Sequence, residues 1–485
     1  MAAASLSPRL RFRPMPEFLF NTNRIDTDLP PGSRVLDFIR DDQGLPGTRS
    51  ACREGDCGAC LVLAGSLRDG YLQYLPLNSC LLPLAALQGR HLVSIEGIGT
   101  DALNPIQQAL VGHGAIQCGY CTPGLVMAIT GYFLSAASTS LEDAIHAVSG
   151  NLCRCAGYAG IERALAALCG QFELAASPPQ QRISDLVGWR ILPLYFLDIA
   201  GRLRALPAAE GVPDDVPEDD ALPIAGGTDL LVQKGDALAR QPLHFLPSRE
   251  DIQLAGQTCR IDASTRIETL RTSALLQTLL PDIGEDFKLI CSPAVRQQAT
   301  LGGNLVNASP IADLAICFLA LNAMLELRSA AGSRSLPLKD FYRGYKELDL
   351  QPGERLRSIQ FDCPEEPLRF SFEKVCKRMH LDIASVNSAM LLQVRDGCFA
   401  RVHISTGGVA PIPLYLHKTC AWLEDRPVDA GVVRQALRVA QGEISPISDI
   451  RGSEAYKRLL LRQLLTAHFL KLLPQHLHWE DLRCP

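Results

Sequence analysis

No excess of positive charge marks this chain. Lys and Arg number 47 against 52 Asp and Glu, a net charge of −5, so the basic surface expected of a nucleic-acid-binding protein is missing. Long apolar runs are missing too. The stretch 314–321 meets Asn322 well before the ~20 residues that a membrane span needs. Arg9, Arg11 and Arg13 have no apolar segment behind them, which leaves no secretory signal. The expectation is a soluble, cytoplasmic protein with neither nucleic acid nor membrane as partner. No repeat of fixed period is seen, and the 485 residues suit about three domains at roughly 100–200 residues each.

Cysteine, by contrast, is abundant. Seventeen thiols in a large cytoplasmic chain do not form a disulfide framework, because the compartment keeps them reduced. Eight are grouped before residue 156 and nine are scattered singly from Cys169 to Cys484. Grouped thiols suggest metal, and scattered ones suggest small core hydrophobes.

Residues 16–28 read as a hairpin around an Asn-Thr-Asn turn, followed by a short helix that Ser33 can cap and that buries Val35, Leu36, Phe38 and Ile39. Helical spacing takes over from Ile106 to Cys169. The segment 175–181, with two prolines and no apolar periodicity, reads as a linker and a domain boundary. Strands then alternate with helices and Gly-rich turns to about Pro364, an acidic, Pro-rich stretch at 205–220 reads as an exposed loop, and an alternating strand at 389–394 opens a last α+β portion.

Cys52, Cys57 and Cys60 have the spacing C-x4-C-x2-C, with Cys80 downstream. This is the plant-type pattern for a [2Fe–2S] cluster. Gly55 and Gly58 free the loop to turn its N–H groups toward sulfur. Four thiolates could also hold zinc, although zinc favours paired C-x2-C knuckles. The second group joins Cys118 and Cys121 (C-x2-C) to Cys153 and Cys155 (C-x-C). Pro123-Gly124 and Gly157 are helix-breaking, so these thiols are expected at helix ends, where N–H dipoles favour negative charge. Taken alone, this group fits iron or zinc.

At these residues the chain resembles the molybdenum hydroxylase family of xanthine dehydrogenases, aldehyde oxidases and carbon monoxide dehydrogenases. The family motifs E-G-x-C-G-A-C, Q-C-G-[FY]-C-T-P-G and N-[LI]-C-R-C-T-G-Y stand here at 54–60, 117–124 and 151–158, with Ala156 replacing Thr. The resemblance implies two [2Fe–2S] clusters, the second nearest a molybdopterin, with Gln117 facing that cofactor.

Two Gly-rich segments follow. Ala225, Gly226, Gly227 and Thr228 could form a turn that receives a diphosphate, though ordinary strand-ending turns look the same. The segment 299–313 brings close backbone together with hydroxyl, amide and carboxylate groups suited to phosphate and ribose. Neither matches G-x-G-x-x-G, so a Rossmann fold is not supported. Both resemble the FAD-contacting loops of the same family, A-G-G-T-D-L and A-T-[LIV]-G-G-N-[LI]. That resemblance implies that Ala225, Gly226, Gly227 and Thr228 hold the diphosphate and that Thr300, Gly303, Asn304 and Asp313 complete the site. The segment 372–384 resembles the family's F-x-K-x-x-x-R-x-x-x-D-I-A, which implies that Lys374, otherwise a solvated lysine, approaches the flavin. Ile290 stands where many xanthine dehydrogenases have an aromatic residue, and Leu381 where an acidic residue is common.

The expected fold is therefore α+β and multidomain. Its parts are a ferredoxin-like β-grasp at 14–98, a four-helix [2Fe–2S] domain at 99–174, a linker at 175–190, an α+β FAD-binding domain of the molybdopterin-dehydrogenase type at 191–365, and a C-terminal α+β flavoprotein domain at 366–485. No molybdenum site is recognised, so a molybdopterin-binding large subunit is expected as partner, in a heterodimer or a dimer of heterodimers. The order of clusters then FAD resembles the small subunit of bacterial xanthine dehydrogenase, which implies NAD as acceptor. The alternatives are the same role for another N-heterocycle or an aldehyde, and a zinc-dependent scaffold. His113, His146, His380 and His403 are isolated, and no acid–base catalytic residue is assigned.

Overall fold

The computed structural model describes residues 16–207, 221–363, 368–378 and 381–482. Most of the acidic 205–220 stretch, the expected edges at 14 and 365–366, His380 and Cys484 lie outside them. Contacts divide the described residues into two units, 16–207 with 221–244 and 245–482.

In the first unit, strands Phe18–Phe20 and Asn23–Ile25 form the expected hairpin, closed at Asn21 and Thr22. The sheet continues through His91–Val93, Leu61–Arg68 and Tyr71–Asn78. Phe18–Phe20 runs parallel to His91–Val93, and the other pairs are antiparallel. This mixed sheet is a β-grasp. Phe18, Val35, Phe38, Ile39, Val62 and Leu92 fill its core. The helix Val35–Asp37 buries the expected side, but Ser33 does not cap it. Arg34 takes that place without a side-chain cap bond, while the Ser33 carbonyl accepts the Leu84 N–H at 2.8 Å.

Four helices follow, Pro105–Gly112, Thr122–Ser135, Leu141–Ala147 and Ala159–Gln171. The segment expected as a linker carries the helix Arg182–Gly188. Buried Arg182 ties it down, donating to the carbonyls of Phe133 (3.0 Å), Ala136 (2.7 Å), Leu174 and Ser177. The next helix, Phe196–Arg204, sets Phe196 against Tyr74 and His91 of the sheet. The contact division between the two units falls at 244/245.

The second unit holds two larger antiparallel sheets beside the two-stranded pair Tyr342–Gly344 and Glu347–Leu348. One runs Gly332–Pro337, Met324–Ser329, Arg355–Asp362, Thr258–Asp262, Ile252–Ala255. The other runs Arg369–Val375, Val386–Arg395, Cys398–Gly407, Leu414–Tyr415. The helix Asp313–Ala320 packs on the second sheet, as does Glu454–Leu472. Among the described residues no parallel doubly wound sheet occurs, in agreement with the missing dinucleotide fingerprint.

Candidate metal and flavin sites

The thiols of the first group meet in two pairs. Cys60 and Cys80 are buried with sulfurs 3.3 Å apart. Cys52 is hydrogen-bonded to Cys57, which pulls its thiol down to about 5. The N–H groups of Glu54 and Asp56 point at the Cys52 sulfur at 3.4 and 3.3 Å. The second group repeats the arrangement. Cys118 and Cys155 lie 3.6 Å apart, and Cys121, pushed up to about 12 by burial and by its bond to Cys153, pairs with that residue.

Pairing discriminates between metals. A single zinc gathers four donors about one centre, whereas here the sulfurs stand in pairs, 3.3 Å apart at Cys60–Cys80 and 3.6 Å at Cys118–Cys155. Two irons bridged by sulfide take two protein thiolates each. The donor sets thus fit a [2Fe–2S] cluster twice over.

A helix end positions Cys121 as expected, with one change of mechanism, while Cys118, Cys153 and Cys155 lie in the loops before Thr122–Ser135 and Ala159–Gln171. Cys121 is the N-cap of Thr122–Ser135, and Pro123 lies in the first turn, where its missing N–H costs nothing. Pro123 starts a helix rather than breaking one. The Cys153 N–H donates to the Tyr158 hydroxyl at 3.1 Å, and the Ala156 N–H reaches the Cys153 sulfur at 3.3 Å.

The two loops touch, a feature that sequence reading did not find. The Leu152 N–H donates to the Cys57 carbonyl at 3.0 Å, the Asn151 amide to the Gly58 carbonyl at 3.2 Å, and the Tyr120 hydroxyl to the Ser50 carbonyl at 2.5 Å. Leu152 adjoins Cys153, so one peptide hydrogen bond joins the two ligand sets. In the second group's loops Gln117, Cys118, Tyr120, Cys155 and Tyr158 are exposed.

The flavin residues fall in both units. Ala225, Gly226, Gly227 and Thr228 belong to the first. Gly227 has φ +73°, a left-handed conformation that suits glycine, and is the N-cap of Thr228–Lys234. A Cβ there would stand 3.2 Å from Ile224.

Thr300, Gly303, Asn304, Asp313 and Lys374 belong to the second. Thr300 caps the helix Leu301–Asn307, accepting from the Gly303 N–H at 3.1 Å. Gly303 is exposed, and the Asn304 amide oxygen is buried without a partner. This orphaned group beside an open glycine fits a ligand with hydrogen-bonding edges. Lys374 is not solvated. Its side chain is 2% exposed, and its ammonium donates to Asp313 and to the Leu289 carbonyl, both at 2.8 Å. The Asp313 carboxylate holds the ammonium above its ordinary range although burial works against it. Asn387, which sequence reading missed, donates to Asp313 at 2.5 Å.

Four family models match in chain order: a 2Fe-2S iron-sulfur cluster binding domain at 20–84, a [2Fe-2S] binding domain at 94–166, the FAD binding domain in molybdopterin dehydrogenase at 208–362 and the CO dehydrogenase flavoprotein C-terminal domain at 371–472. The chain belongs to the molybdenum hydroxylase family. By these matches the chain holds two 2Fe-2S domains and an FAD-binding domain. Xanthine dehydrogenase 1 of Arabidopsis thaliana is 28% identical over 90% of this chain, and aldehyde oxidase 1 of Rattus norvegicus 25% identical over 96%. The chain spans about two fifths of these relatives, 38% and 40% of their lengths. A carbon monoxide dehydrogenase structure from Hydrogenophaga pseudoflava superposes with TM-score 0.50 at 25% identity, covering 55% of this chain and 96% of that one. Among the described residues no helix is long and apolar enough to cross a membrane.

Proposed function

We propose that the chain is the iron–sulfur and FAD subunit of a xanthine dehydrogenase that oxidises hypoxanthine to xanthine and xanthine to urate. In this reading Cys52, Cys57, Cys60 and Cys80 hold one [2Fe–2S] cluster and Cys118, Cys121, Cys153 and Cys155 the other. Ala225, Gly226, Gly227 and Thr228 seat the FAD diphosphate, and Thr300, Gly303, Asn304 and Asp313 its remaining edges, with Lys374 fixing the Asp313 carboxylate. A separate large subunit binds molybdopterin and carries the substrate pocket, and Gln117 faces that cofactor. NAD is the final acceptor. Sixteen free thiols among the described residues support a reducing, cytoplasmic compartment.

The carrying observation is the Leu152–Cys57 hydrogen bond, which joins two thiolate sets into one path with an exposed end at Cys118 and Cys155. When bound, the cofactors supply the redox chemistry. The chain's own residues fix their spacing, bury the Cys60–Cys80 pair and leave the Cys118–Cys155 pair open to a partner. The xanthine reading draws on relatives matched across both cluster domains and the flavin domains. The aldehyde oxidases match over a similar span, so an aldehyde or another N-heterocycle is the second reading. A zinc scaffold is disfavoured by the paired thiols.

The test is reconstitution. Loaded with iron, sulfide and FAD but free of molybdenum, the chain should reduce an artificial dye with NADH and leave xanthine untouched, and adding a molybdopterin-binding partner should restore purine hydroxylation. Oxidation of xanthine by the molybdenum-free chain would defeat the two-subunit reading. Restored aldehyde turnover without purine turnover would select the second reading.

A further inference from the structure

Two arginines, Arg34 and Arg53, join the Gly-Gly segment to the first cluster domain. Arg34 is 8% exposed, and among the described residues it has no ion pair. Its guanidinium donates to the Leu231 carbonyl at 2.7 Å. The Leu231 N–H in turn donates to the Gly227 carbonyl at 3.0 Å, so one peptide unit links Arg34 to Gly227. The Arg34 backbone bridges to Pro83, and the neighbouring Val35 N–H donates to Leu82 O at 2.9 Å, directly after the turn Ser79–Leu81 that carries Cys80. Arg53, next to Cys52 in the cluster loop, holds Asp37 at 2.7 Å and stands 4.0 Å from Asp236, in the turn after Thr228–Lys234.

A buried cation without a carboxylate partner pays desolvation with no ionic return. What Arg34 contributes is a fixed donor at a fixed distance. We propose that Arg34, assisted by Arg53, is a positioning residue for electron transfer, holding the Gly227 turn at a set separation from the plant-type cluster. The inference rests on the reading that this turn seats FAD.

The test uses the full chain loaded with FAD and both clusters. Flavin reduced in a rapid pulse passes an electron to the plant-type cluster, and freeze-quench EPR follows its arrival. Because reactions that need fixed geometry lose up to about 10²-fold for about 1 Å of misplacement, Arg34→Met should slow arrival about tenfold with FAD and iron content unchanged. Arg34→Lys, which keeps one donor, should recover part of the rate. Arg53→Gln should slow it less, because Asp236 is exposed and water already screens that pair. An unchanged rate in Arg34→Met, loss of FAD or iron in that variant, or a lysine variant no faster than the methionine one would each overturn the proposal. A wild-type chain that binds iron but no FAD would instead refute the flavin reading beneath it.

Discussion

The two thiolate sets differ most in what surrounds them. The first sits under a β-grasp core with Cys60 and Cys80 buried, and the second leaves Cys118 and Cys155 open beside Tyr120 and Tyr158. Both pair their thiols and both receive backbone N–H groups at sulfur, so the chemistry is shared and only access differs. A relay needs that asymmetry. The inner station must be insulated and rigid, whereas the outer one must meet a partner.

The largest expected effect comes from the inner ligands. Cys57→Ser should remove one cluster and keep the other, lowering iron from about four to about two per chain. The serine retains the carbonyl that Leu152 binds, so the loops stay joined. Loss of both EPR signals in a folded protein would break the comparison, because it would make the two sites one.

Two glycines with the same backbone form a matched pair. Gly58 has φ +67° and Gly157 φ +66°, yet a Cβ on Gly58 would stand 2.6 Å from the Asn151 amide and the Gly150 carbonyl, while none would meet a Cβ on Gly157 within 4 Å. The left-handed conformation costs about 1–2 kcal/mol in either alanine variant, and the clash adds about 1–3 kcal/mol at Gly58 alone. Iron content after mild heating should therefore fall much further in Gly58→Ala. Equal losses would mean that the inner loop is no more tightly packed than the outer one.

Acid should also separate the regions. Burial pulls His91, in the strand His91–Val93 of the first sheet, down to about 4. The unfolded chain then binds the proton first, so stability is present above the ordinary histidine value of about 6.5 and is lost as pH falls from there to about 4, by up to about 3 kcal/mol. Thermal unfolding of the first domain between pH 7 and 4 should show this slope, and His91→Gln should flatten it.

Where function depended on spacing along the chain, it was legible. C-x4-C-x2-C and C-x2-C with C-x-C put thiols within reach of one another because a loop brings near neighbours together whatever the fold around it. The Leu152–Cys57 bond was not legible, nor was the reach from Arg34 to Leu231, 197 residues along the chain, because each needs two distant backbones placed by packing. Local rules also misassigned two details. Ser33 gave its carbonyl to Leu84 instead of capping a helix, and Pro123 occupies a first turn. Lys374 could be read as solvated only while Asp313 and Leu289, its buried partners, were unknown.

The smallest effect expected is at the outer site. Tyr158→Phe removes the oxygen that accepts the Cys153 N–H, a hydrogen bond worth about 0.5–1.5 kcal/mol. The second cluster's potential should shift while the first stays put, read by redox titration under EPR.

One measurement bears most directly on the central claim that a single peptide hydrogen bond joins two [2Fe–2S] sites. Low-temperature EPR of the fully reduced, loaded chain should show two cluster signals that split each other magnetically. A soluble paramagnetic ion should relax the outer signal far more than the inner one. Two independent signals relaxed alike, or a chain that takes up zinc and no sulfide, would contradict the account.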